Sequence, residues 1–90
     1  MSEFSSIWTA IKDVMAERAL QDAKWGVQDH DPFVWSAILS EECGEFAQAA
    51  LHKRFGGPCS QNLRIEAIQV AAVAVAIIEY LDRSERGACE

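Results

Sequence analysis

The chain has 90 residues, half of them hydrophobic, and a formal net charge of −6 at pH 7. This length predicts a single domain spanning residues 1–90, and the hydrophobic content is too high for a disordered tail. The acidic balance, with no run of Lys and Arg to neutralise phosphates, argues against nucleic acid as a partner.

Nothing in the sequence indicates a membrane or secreted protein. The longest apolar run, residues 70–78, is far shorter than the roughly 18 residues that a membrane span needs. The first six residues lack the basic start of a signal peptide, so we expect a cytoplasmic protein. Three widely spaced cysteines do not suggest a disulfide framework, and with His30 and His52 they lack the spacing typical of a zinc site.

An apolar stripe at helical spacing predicts the first helix, over residues 4–23. We expect Ser5 or Ser6 to cap its start. Arg18 and Asp22 extend the stripe, and their spacing of four residues is typical of an exposed ion pair. The apolar stripe consists of Phe4, Ile7, Trp8, Ile11, Val14 and Met15.

Residues 24–33 indicate an irregular connection, because Gly26 and Pro32 interrupt the helical pattern. The segment is rich in side chains that stack or form hydrogen bonds. Trp25 could serve that purpose, but burial at the end of the hydrophobic core explains it equally well. Asp31 before proline is a favourable start for the next helix.

The second helix is predicted over residues 32–55, with Gly56-Gly57-Pro58 ending it. Its apolar face contains Trp35, Ile38, Leu39, Glu42, Glu45, Phe46 and Ala49. Glu42 lies near the middle of that face and Glu45 at its edge. Cations or a metal must pair with them, because an unpaired buried carboxylate is unfavourable. Lys53 returns to the same face, but its place at the helix C-terminus explains it equally well.

The third helix is predicted to begin at Ser60 and to end near Arg83, with a frayed tail after Ser84. One face carries Glu66, Gln69, Val70, Val73, Ile77 and Tyr80, and the opposite side carries Ile65, Ile68, Ala72, Val75 and Ile78. A helix that is apolar all round is buried on all sides, so we expect a homodimer with this helix at or near the interface. A buried strand over residues 70–78 is the alternative, but the alanine content favours helix. The predicted fold is therefore all-α, a three-helix chain forming a helical bundle completed by homodimerisation.

Two polar pairs, each three residues apart, lie on these apolar faces. Glu42 and Glu45 belong to the second helix, and Glu66 and Gln69 to the third. Packed antiparallel, the helices would bring the pairs together as oxygen ligands for Mg²⁺. The alternative is a solvated acidic face whose negative charge is balanced by Lys53, Arg54 and Arg64. The coincidence of the acids with both apolar faces favours a metal site.

The pattern Glu41-Glu42-x-x-Glu45, followed by Glu66-x-x-Gln69, resembles the EExxE and ExxD motifs of the MazG-like all-α nucleoside triphosphate pyrophosphohydrolases. Residues 17–30, with the pattern ERxxQDxKWGxQxH, and residues 69–76 resemble a short MazG-like subgroup of bacteria and phages. The likeness covers roughly residues 14 to 82. EExxE alone is a weak motif, whereas the combination is fairly specific.

The resemblance implies an all-α dimer or dimer of dimers. It also implies Mg²⁺-dependent hydrolysis of a (deoxy)nucleoside triphosphate to the monophosphate and pyrophosphate, with Mn²⁺ as a possible substitute. Glu42, Glu45 and Glu66 would be metal ligands, with Gln69 at the fourth position, and Glu41 would orient or deprotonate the attacking water. The implied substrate-binding residues are Arg18, Trp25, Gln28, His30, Trp35 and Lys53.

Gln69 departs from the wider family, which has Asp at this position. With Gln at this position, the site would bind fewer metal ions, or an acid such as Glu79 from a second subunit would complete it, or the activity would be low. The short subgroup also has members with Gln here. A house-cleaning pyrophosphohydrolase is the leading hypothesis, and phosphoribosyl-ATP is an alternative substrate for the same chemistry. A non-catalytic helical dimer that binds nucleotide or a partner is the alternative of another class.

Overall fold

The computed structural model describes residues 3–58 and 62–89, and these form three helices. Helix α1 spans Glu3–Trp25, α2 spans Pro32–Phe55 and α3 spans Leu63–Cys89. The described ranges contain no strand, so the all-α prediction is confirmed. The alternative of a strand over residues 70–78 is wrong, because that segment lies inside α3.

Local capping sets both ends of α2 where the sequence predicts them. The Asp31 carboxylate accepts hydrogen bonds from the backbone N–H groups of Phe33 at 2.8 Å and Val34 at 3.0 Å. At the other end Gly56 has a φ of +93°, which suits glycine, and its N–H donates to the carbonyl of His52 at 2.7 Å. Both predicted bounds of α2 are confirmed.

Helix α1 is longer than predicted at both ends. It begins at Glu3, so Ser5 lies within the first turns and the prediction that Ser5 or Ser6 caps the helix is wrong. The carbonyl of Ser5 instead accepts a hydrogen bond from the Thr9 hydroxyl at 3.0 Å. The helix ends at Trp25, where Gly26 adopts a φ of +76° and its N–H donates to the carbonyl of Asp22 at 2.8 Å.

Helix α3 also differs from the prediction. The predicted cap, Ser60, lies outside the described residues, and the helix begins at Leu63, with the Asn62 carbonyl accepting from the N–H of Glu66 at 2.9 Å. The helix continues past Ser84 to Cys89, so the predicted end near Arg83 is wrong. Residues 84–89 carry no apolar stripe at helical spacing, which is why the hydrophobic pattern missed them.

Helix α3 is the element against which both other helices pack. It runs antiparallel to α2, because Trp35 near the start of α2 lies beside Tyr80 late in α3, with ring centroids 6.2 Å apart. Within the described residues α1 and α2 do not pack against each other. A groove therefore lies between α1 and α2, with α3 as its floor.

The buried core of the single chain is small. Among the described residues only Trp35, Ala49, Ala72 and Val73 are buried apolar side chains. Val75 on α3 is 38% exposed, so this helix is not covered on all sides within one chain. The radius of gyration is 15.3 Å, against about 12 Å for a compact domain of this length. The chain alone leaves much apolar surface uncovered.

Across the ranges that the structure covers, no helix combines the length and the apolar character needed to cross a membrane.

Candidate active site

Three carboxylates from two helices converge at one point. Glu42 and Glu45 are three residues apart on α2, so they project from neighbouring positions on that helix. Glu66 comes from the first turn of α3. One carboxylate oxygen from each residue lies within 4.8 Å of the others. The predicted meeting of the two acidic pairs is thus observed for these three residues.

The proximity and partial burial of these acids change their protonation. Burial, reinforced first by the charge of Glu45 and then by Glu66 and Glu41, raises the pKa of Glu42 to about 7. Burial and the neighbouring Glu45 also raise the pKa of Glu66. Both groups therefore hold a proton at pH values where an exposed glutamate is ionised.

The cluster has the donor set that a hard divalent cation prefers. Glu42 Oε2 and Glu66 Oε2 are buried and have no hydrogen-bond partner among the described residues. A cation would neutralise the repulsion between the acids and satisfy these oxygens. All three candidate ligands are carboxylates, which suit Mg²⁺ or Mn²⁺ rather than a softer metal. The residues present therefore fit such an ion, although Glu45 is exposed and exposed acidic groups are common without one.

The two remaining residues of the predicted centre lie beside the cluster. Gln69 is half-buried, one turn beyond Glu66 on α3, and lines the same cavity as Glu42. Glu41 is exposed and lines a second cavity that Glu42 also borders. Gln69 and Glu41 thus border the groove on two sides of Glu42.

The groove between α1 and α2 contains two adjoining cavities, of about 280 Å³ and about 650 Å³. Gln21, Trp25 and Glu42 line both of them. The smaller cavity is also bordered by Arg18, Gln28, Trp35 and Arg83, and the larger by Glu17, Lys24 and Gln69. The groove thus joins the acidic cluster to a region of aromatic, amide and cationic side chains.

Arg18 is held by three side chains at the wall of this groove. Its Nε donates to Glu79 Oε1 at 2.7 Å, its Nη2 to Asp22 Oδ1 at 3.0 Å and its Nη1 to Gln21 Oε1 at 3.2 Å. The side chain is only 13% exposed. The expected ion pair with Asp22 is present, but Arg18 is not solvent-exposed as expected, and the bond to Glu79 in the same chain was not expected. A phosphate contact by Arg18 stays a prediction.

The aromatic end of the groove is built around Trp35. This residue is buried, and the His30 ring meets it edge-on with centroids 4.9 Å apart. Trp35 Nε1 and His30 Nε2 are buried without a hydrogen-bond partner among the described residues. Arg83 Nη2 donates to Asp29 Oδ1 at 2.9 Å and to the Gln28 carbonyl at 3.3 Å, which ties the connection between α1 and α2 to α3.

Two predicted residues occupy places apart from the groove. Lys53 is exposed in the last turn of α2 and does not line either groove cavity. It lies about 12 Å along the helix from Glu45. Glu79, suggested as an acid from a second subunit, accepts a hydrogen bond from Arg18 of its own chain.

Gln21, Asp22 and Arg83 line the groove but were not among the predicted site residues. Gln21 and Asp22 belong to the stretch that resembles the MazG-like subgroup, which was the available signal. Arg83 lines the smaller cavity and contacts Asp29, 54 residues away in the chain, and the Gln28 carbonyl, so no local pattern reveals it.

The chain matches no model of a known protein family, no curated protein and no solved structure at the level of significance applied.

Proposed function

We propose that this protein is a Mg²⁺-dependent nucleoside triphosphate pyrophosphohydrolase that releases a nucleoside monophosphate and pyrophosphate. One observation carries the proposal: carboxylate oxygens of Glu42, Glu45 and Glu66 converge within 4.8 Å beside a groove with aromatic and amide side chains. The motif resemblance to the MazG-like enzymes supports the same assignment. A house-cleaning role in the (deoxy)nucleotide pool follows from that resemblance.

In this proposal the acidic cluster binds the ion and the groove binds the nucleoside. When bound, the divalent ion supplies positive charge that offsets repulsion between the acids and the triphosphate. Glu41, exposed beside Glu42, accepts a proton from water as the water oxygen attacks the α-phosphorus. The bond from the α-phosphorus to the bridging oxygen breaks, and pyrophosphate leaves. Trp25 is exposed and carries the Lys24 ammonium 4.8 Å from its ring centroid, and the base stacks on the ring face that Lys24 leaves open.

We expect the working form to be a homodimer. Ile11, Met15 and Val75 line an apolar groove of about 580 Å³ between α1 and α3, distinct from the α1–α2 groove. Met15 is 62% exposed and Ile11 is 43% exposed. A patch of this kind marks an association surface, and the small core of the single chain gives a second copy a reason to cover it.

Gln69 favours a second candidate function. Its amide offers Mg²⁺ an oxygen without charge, so it is a weaker ligand than the aspartate of the wider family. A helical dimer that binds nucleotide without hydrolysing it would need the groove but not the full set of acids. Phosphoribosyl-ATP remains an alternative substrate for the catalytic candidate.

The direct test is pyrophosphate release from a panel of NTPs and dNTPs, including phosphoribosyl-ATP, with and without Mg²⁺. Metal-dependent release supports the enzyme, and the ranking of substrates separates the catalytic alternatives. A folded protein that binds nucleotide but releases no pyrophosphate would support the non-catalytic candidate.

A further inference from the structure

Helix α1 places an acid, Glu17, beside the proposed metal centre, whose three candidate ligands all belong to α2 and α3. Glu17 is half-buried and lines the cavity of about 650 Å³ together with Glu42 and Gln69. Among the described residues, Glu17 and Glu42 are the only acids that line this cavity. The two acids belong to the α1 and α2 walls of the groove, and Gln69 belongs to its α3 floor.

A further cavity shows which part of α3 lies beside Glu17. Glu17 also lines a cavity of about 250 Å³, to which α3 contributes Ile65 and Ile68. In the larger cavity the residue from α3 is Gln69. Glu17 therefore lies beside the turn of α3 that also carries Glu66. This position is at the end of the groove that holds the candidate ligands, and not at its aromatic end.

No cation neutralises Glu17 within the described part of the chain. The ion pairs found there do not include it. Its hydrogen bond from the Gln21 amide is long, with 3.5 Å between Nε2 and Oε2. Lys24 lines the same cavity, but its ammonium lies 4.8 Å from the centroid of the Trp25 ring. A half-buried carboxylate with so little compensation favours a cation nearby.

Glu17 does not belong to the set of direct ligands. The carboxylate oxygens that lie within 4.8 Å of one another come from Glu42, Glu45 and Glu66. Mg²⁺ usually keeps several of its waters when it binds to a protein. Such waters donate hydrogen bonds, and a carboxylate accepts them. Glu17 thus offers the kind of group that holds a metal centre from outside the direct ligands.

We propose that Glu17 is a positioning residue of the metal centre, which accepts hydrogen bonds from waters bound to the ion and supplies the negative charge that Gln69 lacks. This role deepens the proposed function and rests on it. Residues that support a metal centre from outside the direct ligands typically contribute about 10–100-fold to metal affinity or activity. A metal held in this way also connects α1 to α2, which do not pack against each other within the described ranges.

The first test measures Mn²⁺ affinity without nucleotide, from the loss of the free Mn²⁺ signal in electron paramagnetic resonance at pH 8. We expect Glu17→Gln, with unchanged circular dichroism, to bind Mn²⁺ about tenfold more weakly than the wild-type protein. Glu85→Gln removes the same charge at an exposed position of α3 and should stay within about twofold. The tenfold loss should persist in about 0.5 M KCl, which screens long-range charge effects. A Glu17→Gln protein that binds Mn²⁺ as tightly as wild type, or does so in high salt, overturns the inference.

Gln69→Asp tests whether Glu17 supplies charge that Gln69 lacks. An aspartate at this position adds a charged oxygen ligand on α3, so this variant should bind Mn²⁺ more tightly than wild type. Glu17 should then matter less. We expect Glu17→Gln to weaken binding about tenfold in the wild-type background but only about two- to threefold in the Gln69→Asp background. Equal losses in the two backgrounds contradict the compensation between these residues.

Amide hydrogen exchange tests the connection to α1. All three direct ligands belong to α2 and α3, so an ion held by them alone would not contact α1. We expect saturating Mg²⁺ to slow exchange several-fold in the turns of α1 around Glu17 in the wild-type protein, and to leave them unchanged in Glu17→Gln. A merely structural role of Glu17 would not produce this difference. Equal slowing in both proteins, or none in wild type, overturns the inference.

Metal binding and turnover together separate this inference from the proposed reaction. Mn²⁺ affinity that depends on Glu17, in a protein that releases no pyrophosphate from any triphosphate, supports the inference and contradicts the enzyme. Metal-dependent release of pyrophosphate, with equal Mn²⁺ affinity in wild type and Glu17→Gln, supports the enzyme and overturns the inference. Folded wild-type protein that binds no Mn²⁺ overturns both.

Discussion

Glu42 on α2 and Glu66 on α3 hold carboxylate oxygens within 4.8 Å of each other, and each has a buried oxygen without a hydrogen-bond partner among the described residues. Like charges at this distance repel unless a proton or a cation lies between them. This relationship joins the two helices at the candidate site, and we expect it to make the stability of the protein depend on both pH and divalent metal.

Divalent metal should stabilise the folded protein through these acids. We expect Mg²⁺ at ten times its dissociation constant to add about 1.4 kcal/mol to the free energy of unfolding, which is a rise of several degrees in the melting temperature. Glu42→Gln should remove most of this rise, because it deletes a charged ligand. Thermal unfolding of both proteins at one fixed pH, with and without Mg²⁺, measures this rise in melting temperature. Glu85→Gln, a matched change at an exposed position, should respond like wild type, and a Mg²⁺ response that survives Glu42→Gln contradicts the ligand assignment.

In the absence of metal, stability should fall as the pH rises through 7. The folded protein holds the pKa of Glu42 at about 7, against 4.5 for an ordinary glutamate. Between these values the folded state binds more protons than the unfolded state, so the free energy of unfolding decreases with rising pH. Glu66, whose pKa is raised too, acts in the same direction.

Glu42→Gln removes the main titrating group and should flatten this dependence. We expect it to stabilise the metal-free protein at pH 8 by on the order of 1 kcal/mol and to leave pH 5 nearly unchanged. Urea unfolding in EDTA at pH 5 and pH 8 measures the difference in free energy of unfolding between the wild-type protein and Glu42→Gln. Equal stability of the wild-type protein at pH 5 and pH 8 would show that the acids are not protonated as described.

The Arg18–Glu79 pair should contribute more to stability than the Arg64–Asp13 pair. Both join α1 to α3 at 2.7 Å. The side chain of Arg18 is 13% exposed and that of Arg64 is 63% exposed, whereas Glu79 and Asp13 are similarly exposed at 45% and 43%, so solvent screens the second pair more strongly. Double-mutant cycles with alanine should give a coupling of about 1–2 kcal/mol for the first pair and below about 0.5 kcal/mol for the second. Equal couplings would contradict this difference.

The apolar groove between α1 and α3 should mediate self-association. We expect the wild-type protein to sediment as a dimer at micromolar concentration. Met15→Asp, at a 62% exposed position in that groove, should shift the protein towards monomer because the new carboxylate would lose its hydration when a second copy covers the groove. Ser36→Asp, an exposed position on α2, is the matched control. A wild-type monomer contradicts the dimer, and a Met15→Asp dimer contradicts this interface.

The sequence predicted those features that local chemistry controls. Asp31 and Gly56 fix the bounds of α2 through contacts within a few residues, so both were found. The helical periodicity also placed Glu42, Glu45 and Glu66 on faces that meet. The end of α3 was missed because residues 84–89 carry no apolar stripe at helical spacing.

The features that the sequence did not reveal depend on distant contacts. Nothing local shows that α1 packs on α3 and not on α2, yet this packing creates the groove. The orientation of the Gln21 amide depends on Arg18, which is itself held by Glu79, 61 residues further along the chain. Long-range contacts of this kind leave no periodic signal in one sequence.

The most direct test of the proposed function is Mg²⁺-dependent pyrophosphate release by the wild-type protein and by Glu42→Gln, measured on the same panel of triphosphates. We predict release by the wild-type protein only when Mg²⁺ is present, and a loss of about a hundredfold in Glu42→Gln, because even residues that only orient a metal ligand typically contribute roughly 10–100-fold. Full turnover by Glu42→Gln, or no release from any triphosphate by folded wild-type protein, would contradict the proposal.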